Sequence, residues 1–414
     1  MISRYLITAA LIIVAFLVQP AAAQEWSQWR GPARDGVVPA SNTPASWPNS
    51  LRRLWRVEVG EGYSSPVVSQ GRVFIHGRHD PDEVVIALNL ADGKILWQER
   101  YPATFQKNQY AVKMAKGPNS TPLVIGQRLF TLGVTGILTA WDTATGRQLW
   151  RKDFSKTVDT SKLFCGTAAS PLAVGGRLVV QVGSDIHGGQ ILSLEPASGA
   201  LVWEWRGAGP GYASPVVIDI TGKSQIVSLT EGLIVGLDAK TGVELWSFPF
   251  PDEWHENIAT PVWTGSHLVV SGTRQGTHGY ELKQTAGKWR ATEVWKNADV
   301  AMYMSSPVYG DGLIYGHSAK RKGQFVALDA RTGAMRWATE GREGDHASIL
   351  LTPRHVIFLT NDAQLIAARR GTPGFAAEHR YEVAEAPTWA MPVFLGSDML
   401  VRDATGLIRL TTVP

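Results

Sequence analysis

The sequence predicts an all-β protein: an eight-bladed β-propeller of four-stranded antiparallel blades, whose ring is closed by a strand from the amino-terminal part of the chain. Three observations lead to this prediction, namely the composition, a repeated hairpin that ends in tryptophan, and a second marker that can be counted eight times. The 42 Gly and 16 Trp among 414 residues suit short strands and tight turns better than helices. Propellers of this length form single units, so the length does not require several globular domains.

The repeated hairpin combines an alternating apolar run, a short turn with an acidic residue and a glycine, and a second run with Trp four residues after that glycine. Glycine takes the positive φ that such a turn needs, while the acid or a threonine can bond to neighbouring backbone. Five copies are clear: Ala87–Gly93 with Trp97, Ala140–Gly146 with Trp150, Ser193–Gly199 with Trp203, Gly236–Gly242 with Trp246, and Ala327–Gly333 with Trp337.

The second marker is Ser or Thr followed by Pro and apolar residues, and each copy begins a unit of four predicted strands. In the first unit these strands are predicted at 65–68, 73–76, 84–88 and 95–99. Successive copies lie 42 to 56 residues apart, which is the period of propeller blades. The marker prolines are Pro66, Pro122, Pro171, Pro215, Pro261, Pro307 and Pro392, and Ser348-Ile349-Leu350 fills the one place without a proline.

The two ends of the chain predict how the ring closes. The eighth unit stops one strand short, at Leu407–Thr411, and Leu54–Val57 has the pattern of a fourth strand without preceding strands of its own. We therefore expect Leu54–Val57 to complete the last blade and to leave only short, protected edges. The outer-strand markers also number eight: Trp55, Trp97, Trp150, Trp203, Trp246, Trp295, Trp337 and, by substitution, Tyr381.

The first 23 residues are predicted to be a cleavable signal peptide. Arg4 precedes an apolar run over Leu6–Val18, and Ala21-Ala22-Ala23 fits a cleavage site near Ala23. The 13-residue run is too short to span a membrane, and no cysteine near the cleavage site offers a lipid anchor, so we expect no membrane anchor. The predicted organisation is therefore a signal peptide at 1–23, a lead segment at 24–50 and the propeller at 51–414.

Charge and cysteine content narrow the classes of function. A formal net charge of +4 is too small for a dedicated nucleic-acid binder. The lone Cys165 excludes an intrachain disulfide and any multi-cysteine zinc or iron–sulfur site, and we interpret it as an inert thiol.

The Asp-x-x-Thr-Gly-x-x-x-Trp unit resembles the tryptophan-docking repeat of the pyrroloquinoline-quinone-like (PQQ-like) eight-bladed propellers. That family holds quinoprotein alcohol dehydrogenases and the propeller lipoprotein of the outer-membrane β-barrel assembly machine. The resemblance covers about residues 51–414 and implies that each tryptophan packs between neighbouring blades. The preceding motif from Trp26 through Trp29, Arg30 and Arg34 to Gly36 is similar to the amino-terminal motif of secreted members of the group.

The resemblance leaves two functional classes open. Quinoprotein dehydrogenases typically have a disulfide between adjacent cysteines at the cofactor and bind calcium, and Cys165 alone cannot form that disulfide. Asp252–Asn257 nevertheless offers hard oxygen ligands that suit calcium, with Glu253, Glu256 and Asn257 near the cofactor in that interpretation. The competing interpretation is a solvated polar loop. No cofactor is therefore expected, with PQQ and calcium as the alternative.

One face of the predicted disc carries the longer loops. Turns between first and second strands and between third and fourth strands are short. The connections on the other side are predicted to be long at 77–83, 101–120, 152–169, 183–190, 273–279 and 318–323. Loops on a rigid scaffold often carry binding sites, although added loop length is also tolerated without a role.

On the same face, the residues three positions before each marker proline should ring the mouth of the central channel. They are Tyr63, Asn119, Ala168, Tyr212, Ile258, Met304, His346 and Trp389, with Tyr303 one position earlier. Aromatic and amide groups there can bind a ligand or a peptide, or they can simply plug the hole. Lys320 and Arg321, in a loop of that face, add positive charge. The predicted binding residues are Tyr63, Asn119, Tyr212, Tyr303, His346, Trp389, Lys320 and Arg321.

These observations predict a monomeric, periplasmic or secreted, non-catalytic propeller. We expect it to bind a protein or small-molecule ligand at the channel mouth, with a role in envelope protein assembly, and to bind no nucleic acid. The alternative is a reduced quinoprotein dehydrogenase that oxidises an alcohol or a sugar.

Overall fold

The structure is a computed structural model that describes residues 25–107, 111, 115–156, 163–184 and 188–414. The predicted signal peptide lies outside the described residues. Within the described part, no helix is long and apolar enough to cross a membrane.

Over the described residues, thirty-two strands form eight four-stranded antiparallel sheets, which confirms the predicted propeller. Blade 1 consists of β2 (Val67–Ser69), β3 (Arg72–His79), β4 (Asp82–Asn89) and β5 (Ile95–Pro102). Blade 2 consists of β6 (Leu123–Ile125), β7 (Arg128–Leu132), β8 (Ile137–Asp142) and β9 (Gln148–Asp153). Blade 3 consists of β10 (Leu172–Val174), β11 (Arg177–Ser184), β12 (Gly188–Leu194) and β13 (Leu201–Gly207). Blade 4 consists of β14 (Val216–Ile220), β15 (Lys223–Leu229), β16 (Leu233–Asp238) and β17 (Glu244–Pro249).

The second half of the ring repeats this order. Blade 5 consists of β18 (Val262–Trp263), β19 (His267–Gly272), β20 (Gly276–Thr285) and β21 (Lys288–Asn297). Blade 6 consists of β22 (Val308–Gly310), β23 (Leu313–Ser318), β24 (Gln324–Asp329) and β25 (Met335–Ala338). Blade 7 consists of β26 (Ala347–Leu351), β27 (His355–Thr360), β28 (Gln364–Arg369) and β29 (Ala377–Glu382). Blade 8 consists of β30 (Val393–Leu395), β31 (Asp398–Arg402), β32 (Gly406–Thr411) and β1 (Arg52–Glu58). Short 3₁₀ helices lie at Ala40–Asn42, Phe154–Lys156 and Lys320–Lys322.

Blade 8 shows the predicted closure. β1 pairs antiparallel with β32, so that Val57 faces Leu407 and Arg52 faces Thr411. The edge that β32 would otherwise present to solvent is thereby covered.

Five blade interfaces use the hairpin repeat in the same way. The tryptophan of one blade lies against the turn glycine of the next blade: Trp55 at Gly93, Trp97 at Gly146, Trp150 at Gly199, Trp203 at Gly242, and Trp295 at Gly333. In four of them the indole N–H also donates to a carbonyl of that turn, as Trp97 does to Thr143 at 3.1 Å. The repeat therefore pairs a tryptophan with the glycine turn of the following blade, as the resemblance implies.

At the other three interfaces the following blade lacks this turn, and the contact is different. Trp246 donates to Gln225 of its own blade at 2.8 Å, and Trp337 lies against Phe375 with ring centroids 5.6 Å apart. Blade 8 takes its fourth strand from the start of the chain and so has no third-to-fourth turn. There Tyr381 stacks on Trp47 and donates to the Pro48 carbonyl at 2.5 Å. Contact with a turn glycine is thus found only where the next blade carries the repeat, whereas Trp337 still packs between blades 6 and 7 as predicted.

The Ser/Thr-Pro marker forms a belt of hydrogen bonds around the channel. In blades 1 to 5 the backbone N–H of the marker residue donates to the hydroxyl of the marker in the next blade. The donor–acceptor pairs are Ser65–Thr121, Thr121–Ser170, Ser170–Ser214, Ser214–Thr260 and Thr260–Ser306, all at 2.9–3.1 Å. Met391 in blade 8 donates to Ser65 in the same way at 2.9 Å. The recurring hydroxyl is therefore a link between blades.

Several of the loops predicted to be long are short turns. β3 continues to His79 and β4 begins at Asp82, so only two residues remain from the predicted loop 77–83. β19 and β20 likewise leave only 273–275 between them. Polar and glycine residues in these strands look like loop residues in the sequence, but they extend the hairpins. The connections that remain long are those between blades.

The lead segment enters the central channel. Residues 25–42, called the plug below, bond to seven blades, beginning at Trp26, whose N–H donates to the Val68 carbonyl at 2.8 Å. The further backbone and side-chain pairs are Ser27–Val124, Arg34–Pro171, Arg34–Pro215, Arg30–Pro307, Val38–Leu351 and Asn42–Phe394. Glu25 accepts from Gln70 in the turn between β2 and β3, so the plug closes the channel from the face of the short turns.

Candidate functional site

The central channel opens on the other face into a cavity of about 190 Å³, called the rim pocket below. Every one of the eight connections between blades contributes to its lining. In chain order from Tyr63 these residues are Tyr63, Ala115, Asn119, Phe164, Cys165, Ala168, Tyr212, Glu256, Ile258, Tyr303, Met304, His346 and Trp389. The floor is Trp29 of the plug, surrounded by marker residues such as Ser65 and Ser170.

The pocket brings together six of the eight predicted binding residues: Tyr63, Asn119, Tyr212, Tyr303, His346 and Trp389. Lys320 and Arg321 are not part of the lining. They lie in the exposed short helix between β23 and β24, where the Lys320 ammonium donates to the Ala298 carbonyl at 2.9 Å.

Side chains of the rim tie each connection to the next one around the first half of the circle. The Tyr63 hydroxyl accepts from the Ala115 N–H at 2.9 Å, and the Asn119 amide donates to the Cys165 carbonyl at 3.2 Å. The Tyr212 hydroxyl accepts from the Phe164 N–H at 2.7 Å. The backbone N–H of Tyr212 donates in turn to the Asn257 carbonyl at 2.9 Å.

The second half of the circle is tied by two hydrogen bonds and by stacked rings. The Tyr303 hydroxyl donates to Glu256, and the Ser305 hydroxyl lies 3.2 Å from His346 Nδ1. His346 stacks on Trp389 with ring centroids 5.1 Å apart, and Trp389 stacks on Tyr63 at 5.4 Å. The ring of contacts is continuous, so the rim side chains are held in place before any ligand arrives.

Trp29, Ala115, Phe164 and Cys165 also line the pocket and were not predicted as site residues, and Glu256 was expected at a site only in the calcium–PQQ alternative. Trp29 belongs to the amino-terminal motif. The blade repeat does not indicate that this motif enters the channel. Ala115, Phe164, Cys165 and Glu256 lie two to four residues before Asn119, Ala168 or Ile258, and their directions depend on how each connection folds.

Two buried arginines hold the plug beneath the pocket floor. Arg34 donates to the carbonyls of Pro215, Pro171 and Ser170 at 2.7–2.8 Å, and Arg30 donates to the Pro307 carbonyl at 2.6 Å. Both guanidinium carbons lie within 5.6 Å of the Trp29 ring centre. Burial lowers the pKa of Arg30 to about 10 and that of Arg34 to about 9, so both stay charged at neutral pH.

Burial also sets the charge of the pocket itself. It raises the pKa of Glu256, an effect that the Tyr303 hydrogen bond opposes and nearby Asp252 adds to. Burial lowers the pKa of His346 to about 3 and raises that of Cys165 to about 11, so that imidazole and thiol are both neutral at pH 7. The lining thus combines aromatic rings and hydroxyls with one carboxyl group.

The predicted calcium ligands do not converge. Glu253 pairs with Arg274 at the surface, whereas the Asn257 amide donates to the carbonyls of Thr230, Glu231 and Phe250. Asp252 accepts from the backbone N–H groups of Trp254 and Glu256, which closes the loop on itself. In the described part of the chain, no three His, Cys, Asp or Glu side chains are grouped to hold a metal ion. The residues present therefore do not fit the calcium–PQQ site of the dehydrogenases.

Comparison with solved structures supports the fold. The quinohemoprotein alcohol dehydrogenase from Comamonas testosteroni superposes with a TM-score of 0.69 at 13% identity, over 94% of this chain and 80% of that one. BamB from Moraxella catarrhalis superposes with a TM-score of 0.60 at 16% identity, over 87% of this chain and 99% of that one. At these identities the likeness shows the fold alone.

Comparison of sequences is more specific. The outer membrane protein assembly factor BamB of Yersinia pestis is 23% identical over 298 residues, which are 69% of this chain and 71% of that protein. A family model described as outer membrane protein assembly factor BamB matches residues 48–114 and 103–339, more than half of the chain. The chain therefore belongs to the family of the outer membrane protein assembly factor BamB.

Proposed function

We propose that this protein is a non-catalytic propeller of the periplasm that binds a segment of another protein in the rim pocket during outer membrane protein assembly. The relatives that match over most of the chain are assembly factors by name. Non-catalytic binding is also consistent with the loop Asp252–Asn257, in which Glu253, Asn257 and Asp252 are each bonded within the protein.

The observation that carries the proposal is the construction of the rim pocket. It is closed below by the plug and open on the face of the long connections, and its rim is tied into a continuous ring. A rigid aromatic rim lowers the entropic cost of binding, and aromatic side chains are the residues that most often dominate interface energy. If the rim side chains only filled the central channel, an open cavity on one face would not be needed.

The test is photo-crosslinking in the native envelope. We expect a photoreactive residue in place of Trp389 to give adducts that mass spectrometry identifies as outer membrane β-barrel chains or subunits of their assembly machine. The matched control is Lys240, an exposed residue in a third-to-fourth turn on the opposite face. Adducts that form equally at both positions, or at Lys240 alone, would contradict the proposal.

Alanine substitutions supply the energetic test. Tyr212→Ala, Tyr303→Ala and Trp389→Ala should each weaken capture of the crosslinked partner by more than ~1 kcal/mol. Arg147→Ala, at an exposed turn of the opposite face, should leave capture unchanged. Tyr212→Phe removes only the hydroxyl that accepts from Phe164, so it separates the loss of the ring from the loss of the rim contact.

Cofactor addition tests the dehydrogenase alternative. Because the acidic and amide groups of Asp252–Asn257 do not converge, adding PQQ and calcium to the purified protein should produce no quinone absorbance band after gel filtration and no dye-linked alcohol oxidation. A stoichiometric chromophore with such oxidation would overturn the non-catalytic proposal.

A further inference from the structure

The walls of the rim pocket are unusually rich in aromatic rings. Six residues with Trp, Tyr or Phe rings line it: Trp29, Tyr63, Phe164, Tyr212, Tyr303 and Trp389. The face of an aromatic ring carries partial negative charge, and several such rings around one space attract an organic cation more strongly than a neutral group of the same shape.

Among the described residues of this lining, Glu256 is the only one that is charged in its ordinary state at neutral pH. Its side chain is half-buried and comes from the connection between blades 4 and 5, opposite the stack of Tyr63, Trp389 and His346 in blade order. Tyr303 donates to Oε2. Among the described residues no hydrogen bond reaches Oε1, so this oxygen is available to a ligand.

The two arginines near the pocket are held behind its lining, whereas the partly exposed Lys107 interacts electrostatically with Cys165 of the lining without being part of that lining itself. Arg30 and Arg34 lie under the Trp29 ring, are almost fully buried, and direct hydrogen bonds to backbone carbonyls of the channel. Neither arginine lines the cavity, and Lys320 and Arg321 lie outside it. The described lining therefore presents one carboxyl group and no basic side chain other than the buried His346.

The size of the cavity limits what can enter it. About 190 Å³ is below the roughly 300–1,000 Å³ of pockets that bury drug-sized ligands, so the space suits one long side chain better than a folded element. From these observations we infer that the rim pocket accepts the cationic side chain of a Lys or Arg in the bound protein segment, between the aromatic rings and beside Glu256. This inference rests on the proposed function, because it names the group that the bound segment inserts.

The test uses three blocked amino acids as probes in isothermal titration calorimetry of the chain without the predicted signal peptide. They are the N-acetyl N-methylamides of lysine, of its neutral isostere norleucine, and of glutamate. We expect lysine to bind about tenfold more tightly than norleucine, and glutamate to bind more weakly than both. Equal affinities, a preference for norleucine or glutamate, or no heat from lysine up to its solubility limit would overturn the inference.

Glu256→Gln keeps the shape of the side chain and removes its charge. This variant should lose most of the preference for lysine over norleucine and keep only the part that the aromatic rings supply, while its affinity for norleucine stays at the wild-type level. The matched control is Glu253→Gln, three residues away in the same connection and outside the lining. It should keep the tenfold preference, and a preference that is undiminished in Glu256→Gln would contradict the role of that carboxylate.

Three further outcomes test the identity of the occupant and separate this inference from the proposed function. Choline that binds more tightly than blocked lysine would indicate a free quaternary amine as the occupant, and would overturn the assignment to a side chain. Envelope adducts at Trp389 without any preference for lysine would reject the inference and leave the proposed function standing. A preference for lysine without envelope adducts would reject the proposed function and leave the chemistry of the pocket standing.

Discussion

His346 makes the folded protein sensitive to acid. Its ring is buried between Ser305 and Ser348 and stacks on Trp389, and burial, reinforced by nearby His317, lowers its pKa to about 3. An unfolded chain takes up this proton near pH 6.5, so the stabilising contribution of neutral His346 is complete above that pH. It is lost as the pH falls from about 6.5 toward 3, at ~1.4 kcal/mol per pH unit.

Urea unfolding of the wild type and of His346→Asn between about pH 7 and pH 4.5 tests this prediction. Buried Glu83, whose pKa is lowered by its partners His76 and Tyr101 against the effect of burial, adds to the acid sensitivity of both proteins. The difference between the two slopes therefore isolates His346. We expect the variant to lose less stability over this interval, by up to ~3 kcal/mol. Parallel curves would show that His346 is not held neutral.

For single residues, the sequence predicts which of them lie on the rim better than it predicts which groups they contact. Tyr63, Tyr212 and Trp389 could be placed on the rim because each lies three residues before a marker position, and every blade repeats that geometry. Glu256 could not be placed in the same way, because its direction depends on the folded connection between blades 4 and 5. The chemistry of the rim is therefore accessible to sequence analysis only where it follows the repeat.

The hairpin turn is the element that couples one blade to the next. At Gly146 φ is +77°, and a Cβ would lie 2.7 Å from the Trp97 ring. Gly126, in the first-to-second turn of the same blade, has φ +60° but no atom within 4 Å of such a Cβ. Alanine strains the backbone at both sites. Only at Gly146 does its methyl group also collide with the Trp97 ring and displace it.

This comparison gives a prediction with an internal control. Gly146→Ala should lower the free energy of unfolding by about 1–3 kcal/mol more than Gly126→Ala does, since overpacking adds to the backbone strain. Denaturant midpoints of the two variants provide the measurement. Equal losses of stability would mean that glycine is required at this turn only for its backbone conformation, and not to leave room for the tryptophan of the neighbouring blade.

The same element shows why loop lengths were harder to predict than strands. The repeat indicates where each strand begins, because the marker hydroxyl and the docking tryptophan have fixed partners. Where a hairpin ends depends on how far its two strands keep pairing, as β3 and β4 do to His79 and Asp82. Cross-strand pairing there involves polar residues whose local sequence is equally typical of a loop.

The whole ring depends on residues that precede the repeats. The plug bonds to seven blades through the channel, whereas β1 completes blade 8 at its outer edge. The closing strand was predictable because the eighth unit lacks one, but the path of the plug was not, since its contacts are with backbone carbonyls that have no sequence signature. These two parts of the lead region therefore stabilise the ring by different means.

Two deletions from the mature chain separate these contributions. Removal of 25–42 takes away the plug and leaves β1, so the ring should open at its centre, with a lower melting temperature but a monomeric protein. Removal of 25–60 also takes away β1 and exposes the edge of β32 over Gly406–Thr411, which should cause aggregation because an unpaired strand edge is a template for another chain. Size-exclusion chromatography and hydrogen exchange at 406–411 distinguish the two states. If both deletions leave monomers with equally protected amides at 406–411, β1 does not close the ring in solution.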